Sequence, residues 1–393
     1  MKASGRAALR VVINGIGVAG PTLAYWLTEF GHEVVLVEQA PRLRTAGYII
    51  DFWGIGYDIA ERMGVIDEIR ALGYQVREVR FVDRNGRKKG GFDVDVFARV
   101  THDRFTSVRR SDISATMYRA IEGKVESIFG DSVATIEEAS DCVRVGFDHA
   151  PAREVDLVIG ADGLHSRVRR LAFGAESELA VPLGYHVAAF EVSGYRPREE
   201  LVYVSHSLPG RQISRFTLRD DRTMFLFIFR DELMTDDADP KTMLRRVFAG
   251  AGWEWPRIEA EMERASEIYF DTVSQIRMPH WTKGRVGLIG DAAACVSLMG
   301  GEGTGLAIAE AYVLATELHA CGGDFATAFA RYEQRLMPFL EKKQRLATKF
   351  ASSFAPRTSL DIAFRDQMTK LMRVRFLADL AVGRAFRDDL TLP

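Results

Sequence analysis

Residues Arg10–Glu38, RVVINGIGVAGPTLAYWLTEFGHEVVLVE, read as strand, glycine turn, helix and a second strand with an acidic end. Gly15, Gly17 and Gly20 stand in G-x-G-x-x-G spacing directly after the apolar run Val11-Val12-Ile13, and the turn opens a helical pattern of Leu23, Ala24, Leu27 and Phe30. In such a unit the first glycine permits the tight turn, the second lets backbone approach a pyrophosphate, and the third lets helix pack closely on strand. The helix N-terminus offers N–H groups and partial positive charge to phosphate oxygens. Glu38 closes the second strand at roughly the twenty-residue distance where an acidic side chain meets a ribose hydroxyl. A glycine triplet alone also occurs in structural turns; this one has the strand-turn-helix-strand context that a dinucleotide site requires.

The 393-residue chain is 47% hydrophobic and 27% charged, a globular composition with material for a large core and more than one lobe. A formal net charge of -2 argues against nucleic acid or an anionic membrane as the main partner and favours small-molecule chemistry. Cys142, Cys295 and Cys321 are too scattered for a disulfide framework or a Cys-x-x-Cys metal site, so no metal and a cytoplasmic location are expected. The basic MKASGRAALR imitates the start of a signal peptide, but Gly15, Gly17, Gly20 and Pro21 interrupt the apolar run that follows. No stretch approaches the roughly 18 uninterrupted apolar residues of a membrane span.

Beyond Glu38, Arg42 and Arg44 are either phosphate ligands or solvated charges, and an apolar piece at Tyr48–Ile50 precedes a helical pattern ending near Gly64. Val76–Val82 and Gly91–Val96 alternate like half-buried strands around the turn pair Asn85-Gly86. A short strand then ends at Arg109-Arg110, with Ser111 or Asp112 as the cap of a helix. Lys124–Phe147 holds three strand-like runs, and Glu154–Asp162 reads as one buried parallel strand ending at Asp162-Gly163. Asp162 there suits either a ligand contact at the carboxyl edge of a sheet or a helix N-cap.

From Val181 to Met278 the pattern is antiparallel strand, interrupted by a helical run from Pro240 to Glu263. Phe225, Phe227 and Phe229 share one face by period two, which suits core packing and, as the alternative, the wall of an apolar substrate pocket. Val286–Ile289 then reads as a buried strand ending at Gly290-Asp291, followed by a glycine-rich loop and a helix from about Gly305 to His319. Phe325–Ala355 and Leu360–Phe386 are further helical segments.

The glycine turn with Glu38, the Asp162-Gly163 strand end and Gly290-Asp291 with its loop together resemble the class A, single-component flavoprotein monooxygenases of para-hydroxybenzoate hydroxylase-like fold. The resemblance runs from about Arg10 to Leu340, and within the family it is nearest to tetracycline-degrading and polycyclic aromatic hydroxylases. It implies an α/β (α+β) architecture: a Rossmann-like FAD-binding domain in parts 1–75, 101–180 and 281–340, an antiparallel substrate sheet in 76–100 and 181–280, and C-terminal helices in 341–393.

The resemblance also implies site roles. Gly15, Gly17, Ala19 and Gly20 would hold the FAD pyrophosphate, Glu38 the adenosine ribose and Gln39 the adenine side, with Arg44 a further cofactor-binding candidate. Arg110 would contact the phosphate and ribityl region, Asp162-Gly163 serve FAD and NAD(P)H, and Asp291 the ribityl chain. Gly301, Gly303, Thr304 and Gly305 would face the flavin ring, with Ser297, Leu298, Met299 and Gly300 beside it, and Phe225 and Phe227 are the substrate-side candidates. Many relatives read GDAAH, Pro-Pro and Gly-Gln-Gly; this chain has Ala294, Ser297-Leu298 and Gly301-Glu302-Gly303, and Glu302 is expected to point outward, away from a reduced flavin.

The implied reaction is oxygen transfer from a C4a-hydroperoxyflavin to an aromatic or polycyclic substrate, with NADPH or NADH and O₂ as co-substrates, in a monomer or homodimer. No Ser-His-Asp or metal cluster stands out among the eight histidines, and His186, His206 and His280 read as structural. The alternatives are a flavin reductase or oxidase without oxygen transfer, a non-enzymatic flavin-binding protein, and a flavin-dependent halogenase. Trp253-Glu254-Trp255-Pro256-Arg257-Ile258 only superficially matches the halogenase W-x-W-x-I-P signature.

Overall fold

The computed structural model describes residues 8–44, 48–235, 239–371 and 390–393. The opening unit forms β1 (Arg10–Asn14), α1 (Ala19–Glu29) and β2 (Glu33–Glu38). Val12, Ile13, Leu23, Ala24 and Leu27 are fully shielded, so the helical stripe and the strand bury one another. β3 (Ile49–Trp53) runs into α2 (Gly54–Arg62) and α3 (Ile66–Leu72), and β4 (Glu78–Val82) pairs with β5 (Lys88–Asp93) across the Asn85-Gly86 turn. The expected strand Gly91–Val96 stops at Asp93, and α4 (Asp95–Val100) follows. β6 (Phe105–Arg109) pairs antiparallel with β3 and leads into α5 (Arg110–Arg119). Neither Ser111 nor Asp112 caps α5; both lie inside its first turn, and extended Arg109 occupies the cap position.

β7 (Glu126–Phe129), β8 (Val133–Glu138) and β9 (Val143–Phe147) follow. The expected single strand Glu154–Asp162 is two: β10 (Arg153–Val155) pairs with β9, and β11 (Leu157–Gly160) lies parallel to β1. Asp156 marks the change of sheet, its carboxylate accepting the backbone N–H of Arg10 at 2.7 Å and a guanidinium N–H at 3.0 Å. α6 (Arg167–Ala172) and α7 (Glu176–Leu179) precede β12 (Ala180–Ser193), β13 (Val202–Leu208), β14 (Arg211–Thr217) and β15 (Arg222–Arg230). The Pro240–Glu263 run is split into α8 (Pro240–Val247) and α9 (Trp255–Arg264), because Gly250 and Gly252 take φ of 69° and 76° between them. The chain closes with β16 (Tyr269–Ile276), β17 (Thr282–Lys283), β18 (Val286–Leu288), α10 (Asp291–Ala294), α11 (Gly303–Ala320), α12 (Phe325–Phe354) and α13 (Ser359–Leu371). The remainder of the helical reading to Phe386 lies outside the described residues.

One sheet has the order β17-β18-β11-β1-β2-β7 and is parallel except at β17. The other, β16-β12-β15-β14-β13-β4-β5, is antiparallel except where β13 meets β4. This is the mixed α/β architecture expected from the sequence, with the second sheet built from chain inserted between strands of the first.

The two faces of β15 pack differently. Phe225, Phe227 and Phe229, each 0% exposed, form a core with Met243, Leu244 and Phe248 on one side of the sheet and with Trp255 and Ile258 of α9. Leu226 and Ile228 face the other way, toward Leu298 and Met299. The pocket-wall reading of Phe225 and Phe227 is therefore corrected: α8 and α9 cover that face, and the aliphatic face looks toward the glycine-rich loop. Among the described residues no helix is long and apolar enough to cross a membrane, and no cluster of metal-ligating side chains is present.

Candidate functional site

The glycine turn after β1 is locked on three sides and open on the fourth. Gly15 donates its N–H to the carbonyl of Val37 at 2.6 Å. Its φ is +116°, and a side chain there would fall 2.4 Å from the carbonyl oxygen of Ala161, so the turn lies against the end of β11. A Cβ at Gly20 would fall 2.0 Å from the carbonyl oxygen of Gly15, which seats buried Ala19 and the first turn of α1 directly on the loop. At Gly17 nothing lies within 4 Å of such an atom. Ser114 of α5 donates to the Gly17 carbonyl at 2.9 Å, and the carboxylate of Glu38 accepts from Ile16 N–H at 2.8 Å and Ala40 N–H at 3.0 Å. Gln39, Arg42 and Arg44 are exposed beside it.

Asp162 points back into the fold. Its carboxylate accepts from Asn14 Nδ2 at 2.9 Å, Ser166 Oγ at 2.5 Å and the N–H groups of Arg167 and Val168 at 2.8 and 3.1 Å. It is thus fully engaged as a brace between β1 and the start of α6, while Gly163 next to it, at φ +81°, has open space around it.

The third turn docks on the first. A Cβ at Gly290 would lie 3.3 Å from the Cβ of Ala19, and the Gly290 N–H donates at 2.7 Å to Glu310, buried in α11. Burial pushes the Glu310 carboxyl well above the usual carboxylate range, opposed by the Gly290 N–H and the Tyr332 hydroxyl. Asp291 is half-buried at the turn, and a Cβ at Gly303 would stand 3.8 Å from its Oδ1. Between them, Ser297 holds a φ of +91°, strained for a residue with a side chain, and its buried Oγ has no partner among the described residues. Leu298–Gly300 form one turn of 3-10 helix, and a Cβ on Gly301, φ +67°, would lie 3.9 Å from Cη2 of Trp53. Thr304 and Gly305 are half-buried in the first turn of α11.

Arg110 stands at the head of α5, its N–H donated to the carbonyl of Tyr48 at 3.1 Å. Protein surrounds its guanidinium on most sides while the cleft leaves it in contact with solvent. Enclosure alone would lower its pKa, but Tyr48 and Asp291 raise it, so a permanent positive charge faces the Asp291 turn. The rings of Tyr48 and Tyr269 lie 6.2 Å apart at the same place. Farther along, Asp51 accepts from Ser107 Oγ at 2.5 Å, and with Trp53, Gly56, Glu302 and Gly305 it lines a small pocket at the start of α11. Enclosure raises the pKa of Asp51, opposed by the Ser107 bond.

Neither α1 nor α11 has a side-chain cap, so both present backbone N–H groups and the positive end of a helix dipole to this cleft. An open glycine turn, an arginine facing the cleft, an orphaned hydroxyl and two uncapped helix ends suit a pyrophosphate joined to a polar ring system, and so fit FAD.

Residues 8–340 match the model of a family described as FAD binding domain. The chain belongs to that family, the flavin-dependent monooxygenases. A flavin-dependent monooxygenase of an unknown prokaryotic organism is 34% identical over 350 residues, 88% of this chain and 90% of that protein. Another, of Legionella longbeachae serogroup 1 (strain NSW150), is 30% identical over 98% of both chains. The crystal structure of tetracycline destructase Tet(55) superposes with a TM-score of 0.84 at 29% identity and 98% coverage of each chain. Klebsiella pneumoniae HpxO, solved with FAD and uric acid, shares the fold at a TM-score of 0.77 and 20% identity.

In this flavin-dependent monooxygenase the halogenase-like segment packs its Trp255 and Ile258 into the core: Trp255 is 3% exposed, against Phe227 and Phe248. His186 is bonded to Asp231, His206 to the carbonyls of Val82 and Ala251, and His280 to Glu333, all outside the cleft's lining just described. Sequence reasoning missed Asp51, Ser114, Glu310 and Lys343. Asp51 and Glu310 carried a signal, each being an acid inside an apolar run, YIIDFW and LAIAEAYVL. The carboxylate of Glu302 pairs at 2.6 Å with Lys343 of α12, which is buried, and makes no cap on the N-terminus of α11.

Proposed function

We propose that this enzyme uses NADPH or NADH and O₂ to insert one oxygen atom into an aromatic or polycyclic small molecule. When bound, FAD supplies the redox chemistry, accepting a hydride and activating oxygen. The observation that carries the reading is the convergence of three distant turns, Gly15–Gly20, Gly290-Asp291 and Gly301–Gly305, on one cleft with two uncapped helix ends.

In this reading Gly15, Gly17, Ala19 and Gly20 hold the pyrophosphate, and Arg110 balances its charge. Glu38 meets the ribose, with Gln39 and Arg44 on the adenine side. Asp291 takes ribityl hydroxyls, and Gly301, Gly303, Thr304 and Gly305 present N–H groups to the electron-rich edge of the ring. Ser297–Gly300 lie beside the ring, and Asp162-Gly163 keep the turn in register rather than touching the cofactor. The substrate would bind near Asp51, Trp53 and the Leu226–Ile228 face. The apolar wall there limits water, and the carboxyl of Asp51 orients a hydroxyl or amine. One structural neighbour is a tetracycline destructase and another was solved with uric acid, which supports a planar substrate of that class. Three free cysteines agree with a reducing cytoplasm.

The test is direct. Purified protein is expected to show a flavin spectrum, to consume NADPH or NADH faster with a suitable phenolic or polycyclic compound, and to give a product heavier by one oxygen atom. A protein that takes up no FAD defeats the whole reading; NAD(P)H oxidation without an oxygenated product reduces it to a reductase or oxidase.

A further inference from the structure

Glu302 occupies the N-cap position of α11 but does not cap it. A carboxylate there would ordinarily be drawn to the first-turn N–H groups and the positive end of the helix. Those are the groups left to Gly303, Thr304 and Gly305, which the proposed FAD site needs open. The carboxylate instead reaches Lys343 Nζ at 2.6 Å. Lys343 is 6% exposed and projects from the face of α12 that carries Ala347, whose Cβ lies 3.4 Å from where a Cβ on Gly300 would be. Phe339, one turn earlier, places its ring 5.4 Å from the ammonium. A lysine is buried at such a cost only where its charge is matched, and α12 backs the glycine-rich loop on this side.

We propose that Lys343 is a positioning residue that holds Glu302 off the N-terminus of α11 and so keeps the flavin-facing N–H groups available. The inference rests on the FAD reading of the cleft. Glu302 is then a built-in competitor: without its lysine, the carboxylate folds back onto the helix end and opposes an electron-rich ring in both charge and space. The pair makes an acidic residue tolerable in a loop whose task is to receive electron density.

FAD dissociation constants of the apoprotein, with apoprotein melting temperatures alongside, test this. Wild-type protein must bind FAD; if it does not, the site reading fails and this proposal with it. Given that binding, Lys343→Met is expected to weaken FAD at least tenfold, Lys343→Arg to stay near wild type, and Glu302→Gln with Lys343→Met to return to within about twofold. A lysine that is merely structural would leave the double variant as weak as Lys343→Met, and that result overturns the proposal, as does unchanged binding in Lys343→Met. Should Lys343→Met not fold, Glu302→Gln decides alone: binding equal to or tighter than wild type supports the proposal, and a tenfold loss would show the carboxylate to be a cofactor ligand and overturn it.

Discussion

A side chain on Gly56 would place its Cβ 2.4 Å from the Cα of Gly305, so α2 and α11 cross backbone to backbone at the mouth of the cleft. The crossing holds the N-terminus of α11 against β3 and α2, the place proposed for the ring end of the cofactor. Gly56→Ala should therefore cost about 1–3 kcal/mol of stability through overpacking. It should also weaken FAD retention, because α11 is the element displaced. Denaturant midpoints and bound-flavin absorbance after gel filtration read both effects, and a stable variant carrying its full complement of FAD would show that the helices can part without consequence.

Asp291 faces the cleft from a turn whose geometry Gly290 and Glu310 maintain. In the proposed site, removing its carboxylate would delete hydrogen bonds to the cofactor and leave that brace in place. Asp291→Ala should raise the FAD dissociation constant by roughly 10- to 100-fold, the range for loss of a charged hydrogen bond, with little change in apoprotein melting. Fluorescence titration of the apoprotein checks it.

Glu310 gives a signed pH dependence. Burial raises the pKa of its carboxyl in the folded state, whereas the unfolded chain releases the proton above about pH 4. The stability it contributes is complete below that unfolded value and declines as pH rises toward the folded pKa, by about 1.4 kcal/mol per pH unit. Glu310→Gln keeps an acceptor for the Gly290 N–H and removes the titration. The variant should gain on wild type as pH rises above the unfolded value in urea unfolding, and parallel curves would mean that the folded carboxyl titrates like the unfolded one.

Phe227 is fully buried between β15 and the pair α8 and α9, on the sheet face away from the loop of Leu298 and Met299. Phe227→Ala should cost about 3–5 kcal/mol while the folded variant keeps its FAD affinity. Loss of FAD affinity in a fraction shown to be folded would return this residue to the site.

Much of this site was legible in the chain because its signals are local. Gly15, Gly17 and Gly20 mark a turn by spacing and by the need for backbone without Cβ, and Asp162 and Asp291 stand out at the ends of apolar runs. The period-two pattern of β15 placed Phe225, Phe227 and Phe229 together on one face. It carried no sign of which layer covers that face, since both sides of the strand are apolar and α8 and α9 arrive from later in the chain. Asp162 likewise reads the same as cofactor ligand or brace until Asn14, Ser166 and the N–H groups of α6 are seen to use its oxygens.

The sequence by itself determined the nucleotide-binding unit, the alternation of parallel and antiparallel sheet and the three turns, because turn chemistry and hydrophobic period are set by neighbours within a few residues. Only the tertiary structure decided that those turns share one cleft, that the aromatic face of β15 is core, and that Glu302 pairs with Lys343. Each of these depends on which distant element arrives to bury a surface or match a charge, and that choice is made by the packing of the whole chain.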